Sequence, residues 1–374
     1  MSFEAFDFNP SITKGISACG YTTPTPIQEK AIPPIMKGSD VLGLAQTGTG
    51  KTAAFVLPML ERLGNCTEKK PQALILAPTR ELAEQTHSAI CELGEKTGVK
   101  SVAIYGGVGK SPQIKAIRAG AQIIVACPGR LLDLLNDGAF KLDATRMLVL
   151  DEADQMFDKG FLPDIKRIIK QLPQKRQSLV FSATMPKEIK VLADNLLHNP
   201  ATIRINDSLP LPAISHTVFN VNKENRTALL KSLFQKDDMK SALVFTRTKH
   251  KAKSLAMQLK KAGYSATSLQ GNLSQQKRDK AMSGFRQGFF NILIATDIAA
   301  RGIDVLGISH VINYDLPDTV ETYTHRTGRT GRAEQKGNAY SFAGRDDKKM
   351  LSLIEKNLGK KMHKAPMPGM NFGT

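Results

Sequence analysis

Val41-Leu42-Gly43-Leu44-Ala45-Gln46-Thr47-Gly48-Thr49-Gly50-Lys51-Thr52 decides the fold of this chain. A short apolar run leads through a glycine-rich turn into a helix that starts at a lysine, which is the order a phosphate cradle needs. Gly48 and Gly50, alternating with Thr47 and Thr49, let the backbone turn its N–H groups inward around phosphate oxygens. Lys51 adds a cation, and the Thr52 hydroxyl suits a place on Mg²⁺. Ala45 stands where the general pattern prefers glycine. A strand, turn and helix without a ligand is the plain alternative, but Lys51-Thr52 is an unusual pair for an ordinary helix start.

The chain of 374 residues is long enough for two domains, each closing its own core. Its hydrophobic content of 41% is globular, and no apolar run approaches the roughly 18 residues of a membrane span. The start Met1-Ser2-Phe3-Glu4-Ala5 has none of the parts of a secretory signal, so the expected location is cytoplasmic. Cys19, Cys66, Cys91 and Cys127 lack paired spacing and read as free thiols, neither a zinc site nor a disulfide frame. Lys and Arg outnumber Asp and Glu by 52 to 34, a net +18 that favours a polyanionic partner.

Upstream of the cradle, a weakly amphipathic helix from about Ser11 to Cys19 ends at Gly20. Gly20-Tyr21-Thr22-Thr23-Pro24-Thr25-Pro26-Ile27-Gln28 is braced by its prolines into an ordered arm. The Gln28 amide either reads an adenine edge, whose donor and acceptor are adjacent, or caps a helix. Downstream, strand and helix signals alternate. Ala73–Ala77, Ser101–Tyr105, Ile123–Ala126 and Met147–Leu150 are nearly continuous apolar runs, as buried parallel strands should be, and Arg80–Leu93 and Ser111–Ala119 are amphipathic. Such folds carry their chemistry on loops at the carboxyl ends of strands.

Three of those loops suit phosphates. Pro78-Thr79-Arg80, Gly106-Gly107 and Cys127-Pro128-Gly129-Arg130 each follow a strand and offer a fixed arginine, or backbone N–H groups near a glycine or helix start. Singly, each reads equally well as a helix cap. Met147–Leu150 then delivers Asp151-Glu152-Ala153-Asp154. Asp151 is placed to hold Mg²⁺ through its water shell, and Glu152 to polarise an attacking water as general base. Leu179–Thr184 ends in Ser182-Ala183-Thr184, hydroxyls better suited to a relay than to catalysis.

With these residues in order, the chain resembles a DEAD-box ATP-dependent RNA helicase of the bacterial RhlE-like kind. The resemblance covers about Phe3 to Ala343. It rests on a Q motif (Gly20 to Gln28, with Phe3 upstream), a Walker A (Ala45 to Thr52), Pro78 to Leu82, Gly106-Gly107, Asp151 to Asp154 and Ser182 to Thr184. It implies an α/β P-loop NTPase fold of two tandem RecA-like domains, each a mostly parallel sheet flanked by helices. It implies ATP contacts at Phe3, Tyr21, Thr23 and Gln28 beside the cradle. It makes Asp154, Ser182 and Thr184 coupling residues. Cys127 departs from the family's threonine, and a thiol is a weaker donor to an RNA phosphate.

The first domain is expected over residues 1–207 and a proline-bearing linker over 208–212. A second βα series follows over 213–360, then a basic disordered tail over 361–374. The second series has no Lys-Thr phosphate loop but supplies arginines. Arg329 and Arg332, three residues apart, are expected on one side of a helical turn, where they suit bidentate contact with a γ-phosphate. The resemblance makes these arginine fingers and His325 a coupling residue. It sets Gly302 and Asp304 near phosphate and ribose, and gives RNA contacts to Arg247, Gln270, Gly271, Arg278, Thr296 and Asp297.

What the resemblance implies is RNA-dependent ATP hydrolysis with local, non-processive strand separation by a monomer. Its partner is single-stranded or short duplex RNA with little sequence preference, because phosphate contacts set position only. Ribosomal precursors and RNA-degradation machinery are further implied partners. An ATP-gated RNA clamp and a DNA-directed motor are the alternatives.

Overall fold

A strand buried on both faces must be apolar throughout, and this rule sets most strand boundaries here. The computed structural model describes residues 2–46, 48–64, 68–205, 214–236, 239–300, 307–331 and 337–366, in two units that divide after Asn206. The expected linker at 208–212 lies outside the described residues.

In the first unit the strands are β1 (Val41–Leu44), β2 (Ala73–Leu76), β3 (Ser101–Ile104), β4 (Ile123–Ala126), β5 (Met147–Leu150), β6 (Gln177–Ser182) and β7 (Ala201–Arg204). The helices are α1 (Pro10–Ala18), α2 (Pro26–Met36), α3 (Lys51–Leu63), α4 (Arg80–Leu93), α5 (Lys110–Arg118), α6 (Pro128–Asn136), α7 (Ala153–Asp158), α8 (Leu162–Ile169) and α9 (Lys187–Leu196). All strands run parallel in the order β3-β4-β2-β5-β6-β1-β7.

Alternate strand residues feed two core layers. Ile75, Val125 and Val149 meet α1 to α4 through residues such as Ile12, Ile32, Phe55 and Ile90. Leu74, Ile124 and Leu148 meet α5 to α9 through Ile117, Leu131, Met156, Ile165 and Leu192. Gly43 keeps β1 in this sheet, since a Cβ there would stand 2.5 Å from the Phe181 ring, which packs on Phe55.

The second unit repeats the scheme. Its strands are β8 (Ile214–Asn220), β9 (Ala242–Phe245), β10 (Ala266–Leu269), β11 (Ile292–Ala295), β12 (His310–Asn313), β13 (Gly337–Ala343) and β14 (His363–Ala365). Its helices are α10 (Arg226–Lys236), α11 (Lys249–Lys261), α12 (Gln275–Arg286), α13 (Asp297–Ala300), α14 (Val320–Thr327) and α15 (Lys348–Leu358). The parallel order β10-β11-β9-β12-β13-β8-β14 matches the first sheet strand for strand. Two RecA-like units are therefore present, as expected. No helix of the described residues is long and apolar enough to cross a membrane.

One expectation is corrected at the end of the chain. Residues 361–374 read as a disordered tail, yet His363–Ala365 forms β14, paired to Thr217–Phe219 of β8. Buried Met362 docks beside Val218, Leu316 and Tyr323. Glu355, whose pKa is lowered chiefly by its bond to Lys361, accepts the Met362 N–H at 3.1 Å and the Lys361 ammonium at 2.8 Å. Lysine and proline content hid a segment anchored by one apolar side chain. Residues 367–374 lie outside the described residues.

His216 on β8 makes the second unit acid-sensitive. Burial, reinforced by Lys360, pushes its pKa down from the ordinary 6.5 to about 4, and its Nδ1 lies 2.8 Å from the Tyr323 hydroxyl. The unfolded chain takes the proton first, so stability present above pH 6.5 is lost as pH falls toward 4. The full shift corresponds to about 3 kcal/mol, and less is expected because part of the ring meets solvent. His216→Leu should therefore show a smaller drop in melting temperature between neutral and acidic buffer than wild type. An unchanged drop would assign the acid lability elsewhere.

Candidate functional site

Three neighbouring strands, β5, β6 and β1, carry the acidic loop, the hydroxyl loop and the glycine-rich loop to one sheet edge. Gly48 and Gly50 have φ of 85° and 93°, a left-handed backbone that favours glycine. A Cβ on Gly50 would also stand 2.5 Å from Gln28 Nε2. The Thr49 hydroxyl donates to the Gln46 carbonyl at 2.8 Å, closing the turn. Lys51 opens α3 and is buried. Its Nζ donates to the Ala45 carbonyl at 3.0 Å and lies 3.0 Å from Glu152 Oε1. Burial opposes its charge, but the Glu152 and Asp151 carboxylates prevail and raise its pKa.

Asp151 is 3% exposed, and its Oδ1 has no hydrogen-bond partner. Burial and then Glu152 push its pKa up to about 7, against the pull of Lys51. A buried, orphaned carboxylate oxygen beside a phosphate loop fits a hard cation. No cluster of three or more His, Cys, Asp or Glu able to hold a metal occurs among the described residues. Phosphate and water would therefore supply most of such a cation's oxygens, with Thr52, half-buried at the first turn of α3, on the same loop.

Asp154 ties the acidic loop to the hydroxyl loop. Its Oδ2 accepts the Thr184 N–H at 2.8 Å, the Thr184 hydroxyl at 3.0 Å and the Ala183 N–H at 3.2 Å. Its own N–H donates to Ser182 Oγ at 3.2 Å, and that hydroxyl donates to the Thr184 carbonyl at 2.7 Å. A shift at Asp154 must move this loop with it.

The upstream arm gives Gln28 its capping role and a second contact. Its Oε1 accepts the Thr25 N–H at 2.9 Å at the start of α2, while its Nε2 donates to the Gly50 carbonyl at 3.1 Å. The residue caps a helix and grips the phosphate loop at once. Phe3 is buried and stacks on Tyr21, with centroids 6.3 Å apart, and Thr23 is exposed. Thr47, Gly302, Asp304 and Arg332 lie outside the described residues.

The other half of the same edge, β3-β4-β2, carries the three phosphate-suited loops. Here the capping reading holds for Thr79, a buried residue whose Oγ1 accepts the Leu82 N–H at 3.1 Å at the start of α4. Pro78 and Pro128 are buried, whereas Gly107 and Gly129 are exposed with open space around them. The Arg80 guanidinium lies 4.1 Å over the Tyr105 ring, and Arg130 donates to the Val108 carbonyl at 3.0 Å. Burial pushes the Cys127 thiol up to about 12, so it stays protonated, and its neutral S–H is a weak donor to phosphate.

In the second unit, β10-β11-β9 are neighbours and bring Gln270-Gly271, Thr296-Asp297 and Arg247 together. Arg247 is exposed and Arg278 half-buried. Gln270 is buried, its Oε1 accepting the Asn272 N–H at 2.7 Å. Asp297, expected at RNA, is held by Arg326 in a bidentate pair of 2.6 and 2.7 Å. Arg326 stands three residues before Arg329 and received no role from the sequence; its burial is what reveals it. Of the expected arginine pair, Arg329 alone lies among the described residues. Helix α14 stops at Thr327, and Arg329 lies in a following turn with its N–H on the Arg326 carbonyl at 3.1 Å. Gly328 and Gly331, the latter at φ 68°, end the helical path. His325 is half-buried on α14.

A phosphate loop, a paired lysine and acid, and a second unit of matching topology define a two-unit P-loop NTPase. The profile described as DEAD/DEAH box helicase matches residues 25–192, and that described as helicase conserved C-terminal domain matches 225–334. The chain belongs to the DEAD-box helicase family. It is 41% identical over 367 residues to the ATP-dependent RNA helicase CshA of Listeria monocytogenes, covering 98% of this chain and 70% of that one. It is 41% identical over 371 residues to the DEAD-box ATP-dependent RNA helicase RhpA of Helicobacter pylori, covering 99% and 75%. Among solved structures, Saccharomyces cerevisiae Dbp5 bound to RNA and ADP BeF3 is similar at TM-score 0.90 and 36% identity, covering 98% of this chain and 96% of that one.

Proposed function

We propose that this protein is an RNA-stimulated ATPase that separates short RNA duplexes locally, acting as a cytoplasmic monomer. The observation that carries this is the division of one sheet edge: β5-β6-β1 bears the phosphate loop and acids, and β3-β4-β2 bears the phosphate-suited loops. The solved relative, Dbp5, is bound to RNA and ADP BeF3.

Gln28 orients the adenine, and the backbone N–H groups of residues 47–50 cradle the phosphates with Lys51. Asp151 and Thr52 would hold Mg²⁺, which would supply charge neutralisation on the phosphates. Glu152 takes a proton from the attacking water, and Arg329 and Arg332 stabilise charge on the transferred phosphoryl. Before nucleotide binds, Glu152 and Lys51 occupy each other, so ATP must part them. Contacts to 2′-hydroxyls would set RNA apart from DNA, and ribosomal precursors and RNA-degradation machinery are the proposed settings.

ATPase rate measured without nucleic acid, with single-stranded RNA and with single-stranded DNA tests this reading. Stimulation by RNA alone is expected. Equal stimulation by DNA would overturn the RNA assignment. Stimulation without release of a short duplex would instead favour an RNA clamp.

A further inference from the structure

The residue that follows the acidic loop points back into it. Gln155, in the first turn of α7, is 2% exposed. Its N–H donates to Asp154 Oδ1 at 3.0 Å, and its Nε2 donates to Glu152 Oε2 at 2.8 Å. Glu152 has a left-handed φ of 53°, an uncommon conformation for a residue with a side chain, at the N-cap of α7. One oxygen of its carboxylate, Oε1, faces Lys51, and the other, Oε2, is held by the Gln155 amide. The Gln155 Oε1 is itself buried with no hydrogen-bond partner. An amide placed here therefore gains its polar contact through the donor end, while an apolar residue of the same length would leave no orphaned oxygen.

We infer that Gln155 is a positioning residue for the general base, pinning Glu152 Oε2 so that Oε1 is the oxygen presented to water. A carboxylate swings about its last bond unless one oxygen is fixed. The Lys51 contact cannot fix it during turnover, because Lys51 is needed at the nucleotide phosphates. The Gln155 bond comes from the same helical turn and does not depend on nucleotide. A neutral amide also holds the carboxylate without the pull on its proton affinity that a cation would exert. In the reaction the water oxygen bonds to the γ-phosphorus and the bond to the ADP oxygen breaks. The water's proton passes to Glu152 Oε1.

This inference rests on Glu152 acting as the base, and the test separates the two. Gln155→Met keeps length and burial but cannot donate, and Gln155→Asn keeps the amide one carbon too short. Both should lower RNA-saturated kcat by about 10- to 100-fold, as misplacement of a reacting group does. KM for ATP, RNA affinity with a non-hydrolysable ATP analogue and melting temperature should stay near wild type. In a Glu152→Gln background, Gln155→Met should change residual turnover by less than about twofold, since the two act through one group. An equal loss in both backgrounds would overturn the inference and leave the base intact. So would a kcat within twofold of wild type, or a KM rising in step with the loss of kcat. Near-normal turnover of Glu152→Gln alone would instead overturn the base itself.

Discussion

Arg329→Ala keeps ATP affinity in the absence of RNA within about twofold of wild type and lowers RNA-stimulated hydrolysis by about 10³-fold, the scale a finger supplies. The reason lies in where the groups sit. Gln28, Lys51 and Thr52 all belong to the first unit, whereas Arg329 belongs to a unit with no phosphate loop among its described residues. Its contribution should arise only when ATP and RNA are bound together. Arg329→Lys should recover little, because a point charge cannot copy a planar bidentate fork. Nucleotide affinity measured without RNA, followed by stimulated turnover with RNA, tests the wild type and both variants. If the alanine variant loses affinity and turnover to the same degree, the arginine acts in ground-state binding and the proposed mechanism fails.

The second large effect is expected at Glu152→Gln, which should lower turnover at least about 10²-fold while ATP and RNA still bind. The buried pair makes a further outcome specific. Glu152 lies 3.0 Å from the Lys51 ammonium, and nucleotide must displace that contact. Removing the carboxylate charge removes the competitor, so ATP affinity should hold or tighten. Calorimetry beside stopped-flow hydrolysis reads both quantities. Hydrolysis within twofold of wild type would refute the base role. A large loss of ATP affinity would show instead that the carboxylate shapes the loop.

Most of the fold was legible because buried parallel strands announce themselves as short apolar runs. Ile123–Ala126, Met147–Leu150 and Arg80–Leu93 have the boundaries that periodicity implies. The strand at His363–Ala365 was not legible, since its docking depends on buried Met362 and on an open edge that only the assembled sheet presents. Arg329 stands just past α14 because Gly328 caps that helix, although the spacing of Arg329 and Arg332 is helical. In the site, the glycines, Lys51 and the acids were readable because their chemistry is local in sequence. The Gln28 contact with the Gly50 carbonyl, the Arg326 grip on Asp297 and the Gln155 contact with Glu152 were not. Each depends on which side chain is buried against which, and spacing alone does not carry that.

Strands β2 and β5 lie side by side, and the Asp151 N–H donates to the Leu76 carbonyl at 3.0 Å. The strand that leads to Pro78–Arg80 and the strand that leads to Asp151–Asp154 are thus fastened together at the backbone of the acid itself. Thermodynamic linkage gives this a strict consequence. Whatever factor RNA on the β2 side contributes to nucleotide affinity, nucleotide must return to RNA affinity in equal measure. A substitution that weakens one ligand's own affinity and leaves this shared factor unchanged damages a single site, whereas one that lowers the factor acts on the coupling, so the pair of titrations separates the two.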